Sequence, residues 1–346
     1  MNKLLLTLAL LAGVISSNAA DKNGFGEILS VKKIWDAGKH NAFTDLIRFK
    51  GKWYCTFREA DDHVGGDGKL RVLESKDGET WTSAALLAEE GIDLRDPKLC
   101  ITPDNWLMIT AGGSVYRGTK TLQGRQPRVA FSRDGHIWTP TQRVLGEGDW
   151  LWRVTWHKGR AYGVSYDTTP LPAGAKDSAG RGEEWKLKFV ESLDGVNYHL
   201  VTTLAVPDRP NETTLRFLKN GDCVALVRRE GTKEHPDKHA WIGVAQAPYK
   251  EWSWKPAGVQ IGGPNFIPLP DGRMVAAGRQ YNPSPVGAKT FLGAMDLASV
   301  KPQLIFPSAG DNSYPGLVWE KKILWMSYYA SHEGKTSIYL AKVKLN

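Results

Sequence analysis

Three stretches decide the fold: Ser75-Lys76-Asp77-Gly78-Glu79-Thr80-Trp81, Ser132-Arg133-Asp134-Gly135-His136-Ile137-Trp138 and Ser192-Leu193-Asp194-Gly195-Val196-Asn197-Tyr198. Each reads as a hairpin turn. The Asp side chain can accept hydrogen bonds from backbone amides further on, the Gly tolerates positive φ, and the closing aromatic can pack between sheets. Each also follows an alternating, strand-like run: LRVLES, PRVAFS or LKFVES. One such turn is ordinary, but three in register predict a structural repeat with a period of about 60 residues.

A second hairpin recurs between them, with turns at Lys50-Gly51, Pro103-Asp104, Lys158-Gly159, Asn220-Gly221, Asp271-Gly272 and Glu320-Lys321. The flanking runs, such as DLIRF and WYCTF or TLRFL and CVALV, have strand character. Six units of two hairpins predict an all-β chain of six four-stranded antiparallel sheets. Radial repetition of such sheets is a β-propeller, which leaves only short, protected edges. The last unit has only SIYLAKVKL after its first hairpin, so the N-terminal segment GEILSVKKIW is expected to supply the missing strand and close the ring.

The composition agrees with a globular chain. Of 346 residues, 41% are hydrophobic and 24% charged, a balance that excludes both a disordered chain and a membrane bundle. The first twenty residues stand apart: Lys3, an apolar run from Leu4 to Ile15, then small residues through Ala20. That is the layout of a secretory signal, and the run is too short to span a bilayer. Cleavage near Ala19 or Ala20 is expected, followed by export to the periplasm or medium without membrane insertion, leaving residues 21–346 as a single propeller domain. The formal charge of +8 is spread along the chain without a basic tract, which argues against nucleic acid and slightly favours an anionic ligand. Cys55, Cys100 and Cys223 sit in apolar strand-like runs and read as buried fillers. No CxxC pair, EF-hand or His/Cys cluster appears, so neither a metal nor a cofactor is expected.

Strand direction sorts the loops. If the short turns lie on one face, the segments entering each first strand and leaving each second strand lie on the opposite face, around the axis. Those segments include 41–45 with 58–68, 93–96 with 112–126, 208–214 with 228–239 and 311–315 with 328–335. They hold most of the polar residues without an obvious structural role, so the site is expected there, on loops aimed by rigid strands.

The SxDGxxW turns resemble the Asp-box, or BNR repeat, of the sialidase superfamily, although that family usually carries one more residue before the tryptophan. More specific is the order on the loop-rich face: Glu212 before TLRFLKNGDCVALV, Arg228 after it, Arg279 closing MVAAGR, and Tyr314 opening SYPGLVW. The resemblance implies Tyr314 as nucleophile, Glu212 as its base, and Arg228 and Arg279 as a clamp for a substrate carboxylate. The chemistry fits that set, because sialic acid carries a carboxylate on its anomeric carbon. That group repels a carboxylate nucleophile, whereas a tyrosine oxygen avoids the repulsion and arginines bind the acid in fork geometry.

The family's general acid lies in the loop after the second strand of the first blade. Here that loop holds Asp61, Asp62, His63 and Asp67, with Asp62 and Asp67 as the candidates. One departure stands out: the family opens its first blade with an arginine, and the matching stretch Asn41-Ala42-Phe43-Thr44-Asp45-Leu46 has none. His40, Arg58 and Arg95 are possible replacements, with Asp45 working against them. His63, Arg153 and Trp152 complete the candidate substrate contacts, although Trp152 suits core packing equally well. The resemblance therefore implies an exported glycoside hydrolase of the exo-sialidase type, releasing a terminal sialic acid or related acidic sugar from a glycan. Two other readings stay open: a propeller lyase acting on uronate glycans, with His63, His157 or His332 moving the proton, and a non-catalytic carbohydrate-binding propeller.

Overall fold

The computed structural model describes residues 24–167, 185–281 and 287–346. The expected signal segment and parts of the loops 165–184 and 278–289 lie outside those residues. Every regular element among the described residues is a strand, and the strands form six four-stranded sheets.

Blade 1 consists of β2 (His40–Phe49), β3 (Lys52–Ala60), β4 (Lys69–Ser75) and β5 (Thr82–Leu87), and blade 2 of β6 (Asp93–Ile101), β7 (Leu107–Val115), β8 (Gly124–Ser132) and β9 (Gln142–Arg143). Blade 3 holds β10 (Asp149–His157), β11 (Arg160–Asp167), β12 (Lys186–Ser192) and β13 (Tyr198–Leu204). Blade 4 holds β14 (Pro210–Phe217), β15 (Cys223–Arg229), β16 (Trp241–Ala245) and β17 (Ser253–Pro256). Blade 5 is β18 (Ile261–Pro268), β19 (Met274–Tyr281), β20 (Ala288–Met295) and β21 (Val300–Ile305). Blade 6 joins β22 (Asn312–Glu320), β23 (Ile323–Ala330) and β24 (Ser337–Leu345) to β1 (Gly26–Trp35) from the other end of the chain. β1 pairs antiparallel with β24 from Gly26 opposite Leu345 to Trp35 opposite Ile338, so the ring closes between the segments the sequence marked for it.

The first strand of each blade is innermost and packs against the first strand of the next, from β2 through β6, β10, β14, β18 and β22 back to β2. Neighbouring blades cover both faces of these strands, which is why β2 and β6 are buried over six or more consecutive residues rather than at alternate ones. Large aromatics fill the wedges between blades. Trp53 of blade 1 lies 4.4 Å from Trp325 of blade 6, centroid to centroid.

The three SxDG turns are built alike. Asp77 Oδ1 accepts from Ser75 Oγ (3.0 Å) and from the amides of Glu79 (2.8 Å) and Thr80 (3.0 Å). Asp134 and Asp194 repeat this pattern. The glycine is required by position as well as conformation: Gly78 has φ +76°, and a Cβ there would lie 2.6 Å from the Trp325 ring of the neighbouring blade. In blade 6 the inner turn falls one residue later than its sequence suggests. Lys321 and Lys322 both take positive φ while Glu320 stays paired with Ile323, because a two-residue turn of matching twist needs two left-handed residues between the paired ends.

Candidate active site

One irregularity recurs in all six innermost strands and builds the site. The ladder between first and second strand skips two residues in every blade: Phe43-Thr44, Asp96-Pro97, Trp152-Arg153, Asn211-Glu212, Gly263-Pro264 and Tyr314-Pro315. Each is a β-bulge, two residues facing one, which bends the strand and re-aims its side chains. Phe43, Asp96, Gly263 and Tyr314 have φ of +67°, +49°, +58° and +50°. Left-handed non-glycine residues are costly, and their clustering here marks a place where geometry matters more than local comfort. Gly263 is the gap in the ring, since a Cβ there would lie 2.7 Å from the Tyr314 ring.

Blades 4 and 6 meet through these bulges. Tyr314 Oη donates to Glu212 Oε1 at 2.7 Å, Arg228 Nη1 donates to Glu212 Oε2 at 2.9 Å and to Tyr314 Oη at 3.1 Å, and Gly263 N donates to Glu212 Oε2 at 2.8 Å. Arg228 stands directly opposite the Asn211-Glu212 bulge, and its other nitrogen holds Glu230 at 2.7 Å. Burial opposes ionisation of Glu212, yet the Arg228 charge and these donors outweigh it and keep the carboxyl below its usual range. Burial, reinforced by the Glu212 charge, pushes the Tyr314 phenol well above its usual value. At neutral pH the pair is therefore a protonated phenol beside an ionised carboxylate. That arrangement can move the phenol proton to Glu212 if the oxygen attacks an electrophile.

Arg279 lies over the Tyr314 ring, 5.4 Å from its centroid, and bonds Asp311 Oδ1 at 2.9 Å and Tyr329 Oη at 3.0 Å. Asp311 Oδ2 faces His63 Nδ1 at 2.8 Å and His40 Nε2 at 3.3 Å. This His40, His63 and Asp311 set is the cluster among the described residues with metal-ligand chemistry, its ligand atoms lying within 4.8 Å of one another. It fits a metal poorly. Asp311 is already committed to Arg279 and Tyr329, and His40 Nδ1 is buried without the acceptor that a metal-bound imidazole uses for its second nitrogen.

The remaining candidates divide by their partners. Arg58 is fully buried and grips Asp93 with two bonds of 2.6 and 2.9 Å. Arg95 donates to the His63 carbonyl at 2.8 Å and lies 5.2 Å over the Phe43 ring, while Arg153 donates to Asp45 Oδ2 at 2.7 Å. Asp45, which in the sequence stands against an anion site, is thus compensated by Arg153 and also accepts from the Leu99 amide at 2.8 Å. Trp152 is 1% exposed and lies edge-on to Tyr314, 5.5 Å between centroids, so it packs against the tyrosine ring rather than facing solvent. Asp62 is exposed and paired with Lys120, whose hydrogen bond keeps the carboxyl below its usual range. Asp67 is exposed as well. His63 is about half exposed at the rim, edge-on to Phe43.

Two buried residues at the ring escaped the sequence reading. Asp96, which the sequence places only at the end of the segment 93–96, takes the same bulge position in blade 2 that Tyr314 takes in blade 6. A usable signal was present: RDP, GPN and YPG each place a proline second in the bulge. Lys98 is 1% exposed, lies 4.7 Å over the Trp152 ring, and has the carbonyls of Pro97 and Thr44 at 3.2 and 3.4 Å as its hydrogen-bond partners. Burial, with the Arg153 charge adding to it, pulls the ammonium down to about 8. A lysine whose folded value lies below its unfolded one destabilises the fold while protonated. The penalty is full below about pH 8 and fades as pH rises towards the unfolded value. Lys98→Met should therefore stabilise the protein near pH 6, by on the order of 1 to 3 kcal/mol, and gain less at pH 9. Urea denaturation at the two pH values checks this, and equal or lower stability of the variant at pH 6 refutes it.

Neither a family model nor a curated protein matches the chain in sequence. Solved structures do match in shape. A Dyadobacter fermentans protein of unknown function superposes with a TM-score of 0.78 at 20% identity, over 93% of this chain and 99% of that one. An α-L-arabinofuranosidase of Fusarium graminearum gives 0.68 at 16%, over 90% and 96%. A Trypanosoma rangeli sialidase gives 0.63 at 13%, over 89% of this chain and 55% of its own. The fold is the six-bladed sialidase-type propeller. On this ring the innermost strands β14 and β22 carry Glu212 and Tyr314, and the second strands β15 and β19 carry Arg228 and Arg279.

Proposed function

We propose that the protein is a glycoside hydrolase that releases a terminal sugar from a glycan, with Tyr314 as nucleophile and Glu212 as its base. The observation that carries this reading is the 2.7 Å bond from the Tyr314 phenol to the Glu212 carboxylate, inside a ring of bulges on the axis. Arg228 touches the phenol oxygen and Arg279 covers its ring, which puts two guanidinium groups where the carboxylate of an acidic sugar would lie beside the attacked carbon. The Trypanosoma rangeli neighbour, named as a sialidase, supports the acidic sugar. Export, inferred from residues 1–20, would bring such an enzyme to extracellular glycans.

A specific observation favours a second reading of the sugar. Each arginine around the ring already has an acidic or backbone partner: Arg58 with Asp93, Arg153 with Asp45, Arg228 with Glu212 and Glu230, Arg279 with Asp311, and Arg95 with the His63 carbonyl. A site compensated in this way suits a neutral sugar, such as the arabinofuranosyl unit named for the Fusarium graminearum neighbour, with Glu212 itself as the attacking carboxylate. Product analysis on sialosides, uronate glycans and α-L-arabinofuranosides separates these readings. Free sialic acid is expected from the first and free arabinose from the second. An unsaturated uronide absorbing in the ultraviolet would establish a lyase, and no product from any of them would sink the hydrolase reading.

A further inference from the structure

The bulges of blades 2, 4 and 6 carry Asp96, Glu212 and Tyr314, Asp96 and Tyr314 as the first residue of the bulge and Glu212 as the second. Two of those three polar groups are spoken for: Glu212 accepts from three donors, and Tyr314 is one of them. The other buried acids nearby are likewise engaged, Asp45 by Arg153 and the Leu99 amide, Asp93 by Arg58 and the Gly68 amide, and Asp311 by Arg279 and Tyr329. Asp96 differs. It is nine-tenths buried, held in a left-handed conformation, and its Oδ1 is the carboxylate oxygen among the described residues that is buried with no hydrogen-bond partner.

A buried, unpartnered carboxylate costs several kcal/mol, so such a group exists most cheaply as the neutral acid. We propose that Asp96 is the general acid of this site, donating its proton to the glycosidic oxygen and later taking one from the incoming water. This rests on the hydrolase reading above and adds the residue that reading lacked. As the bond from the anomeric carbon to the leaving oxygen breaks, its electron pair goes to that oxygen, which takes the Asp96 proton. A bond from Tyr314 Oη to the same carbon forms while the phenol proton passes to Glu212. In the second half a water loses one proton to the Asp96 carboxylate and its oxygen bonds the carbon. The tyrosyl bond breaks, and Glu212 returns its proton to Tyr314, so the protein ends as it began. The charged and titratable groups facing Asp96 are Arg95, Arg58, Lys98, His63, Glu212 and Tyr314. Burial is the largest influence on its carboxyl, Glu212 acts in the same direction against the three cations and His63, and the net direction is upward. Asp62, exposed and ionised beside Lys120, offers none of this.

The test compares leaving groups within one variant. Wild type and Asp96→Asn are assayed on the 4-nitrophenyl and methyl glycosides of N-acetylneuraminic acid and of α-L-arabinofuranose. A nitrophenolate leaves without help, whereas an alkoxide needs the proton. Asp96→Asn should therefore lose about 10² to 10⁴-fold in kcat/KM on the methyl glycoside that wild type cleaves, and far less in kcat for the first, bond-breaking step on its nitrophenyl counterpart, read as a burst of nitrophenol. The alkaline limb of the wild-type pH profile should vanish in the variant. A merely structural role would lower both substrates equally and leave the limb in place, and that outcome overturns the assignment while sparing the hydrolase reading. If wild type cleaves none of the four glycosides, the hydrolase reading fails and Asp96 fails with it.

Discussion

Tyr314→Phe should abolish turnover, lowering kcat by at least about 10³-fold with KM nearly unchanged, because a missing nucleophile deletes a chemical step rather than a ground-state contact. The substitution is gentle on the fold. Glu212 keeps Arg228 and the Gly263 amide, and the phenyl ring keeps its edge contacts with Phe43 at 5.2 Å and Trp152 at 5.5 Å. Magnitude decides between the two readings of the pair. If Glu212 attacks the sugar itself, Tyr314 only supplies a hydrogen bond to that carboxylate, worth about 1.5 to 3 kcal/mol. Its loss would then slow turnover by roughly 10- to 100-fold. A measured loss in that lower range transfers the nucleophile to Glu212, and near-full kcat removes both assignments. Mass spectrometry of wild type trapped with a slow, fluorinated substrate then shows which side chain carries the sugar.

The fold was legible because its signals are local and repeated. An Asp accepting two amides, a Gly at positive φ and an aromatic closing the turn lie within seven residues, and three copies fix the period. Ring closure was legible for a related reason, since a blade short of one strand and an unassigned strand at the other terminus are two halves of one count. In the site, Glu212 and Tyr314 could be named from their order, although 102 residues separate them and only the ring brings them together. The partners of the arginines were not legible. Arg58 reads as a loop cation, but its carboxylate, Asp93, belongs to the next blade, 35 residues on, and no spacing rule links the two. Asp96 was hidden by a different difficulty: the proline after it marks a bulge only once the same X-Pro pair is seen in blades 5 and 6, and the bulge, not the local strand pattern, sets the place of that aspartate.

Arg58 provides the second large effect, and it separates a substrate clamp from a strut. Its guanidinium is 0% exposed and Asp93 is 1% exposed, so removing Arg58 leaves the buried Asp93 carboxylate with only the Gly68 amide and a long, 3.5 Å contact from Arg95 Nη1. Arg58→Met should cost about 3 kcal/mol of stability, measured by urea denaturation, because the loss is that of a buried carboxylate left with one long cationic contact, to Arg95, rather than of one contact alone. Neutralising that carboxylate should return much of the stability. Asp93→Asn in the Arg58→Met background removes the stranded charge and leaves an oxygen to accept the Gly68 amide, which Asp93 Oδ1 accepts at 3.0 Å. The double variant then answers the functional question, since it restores the fold without restoring the cation. Recovered turnover would make Arg58 a strut that shapes the loop carrying Asp62 and His63, consistent with its 2.7 Å bond to the Asp62 carbonyl. A stable double variant with a KM raised at least about tenfold, one charge-assisted contact at 1.4 kcal/mol per decade, would instead make Arg58 the replacement for the arginine missing from the first blade. A single variant as stable as wild type would refute the buried pair itself.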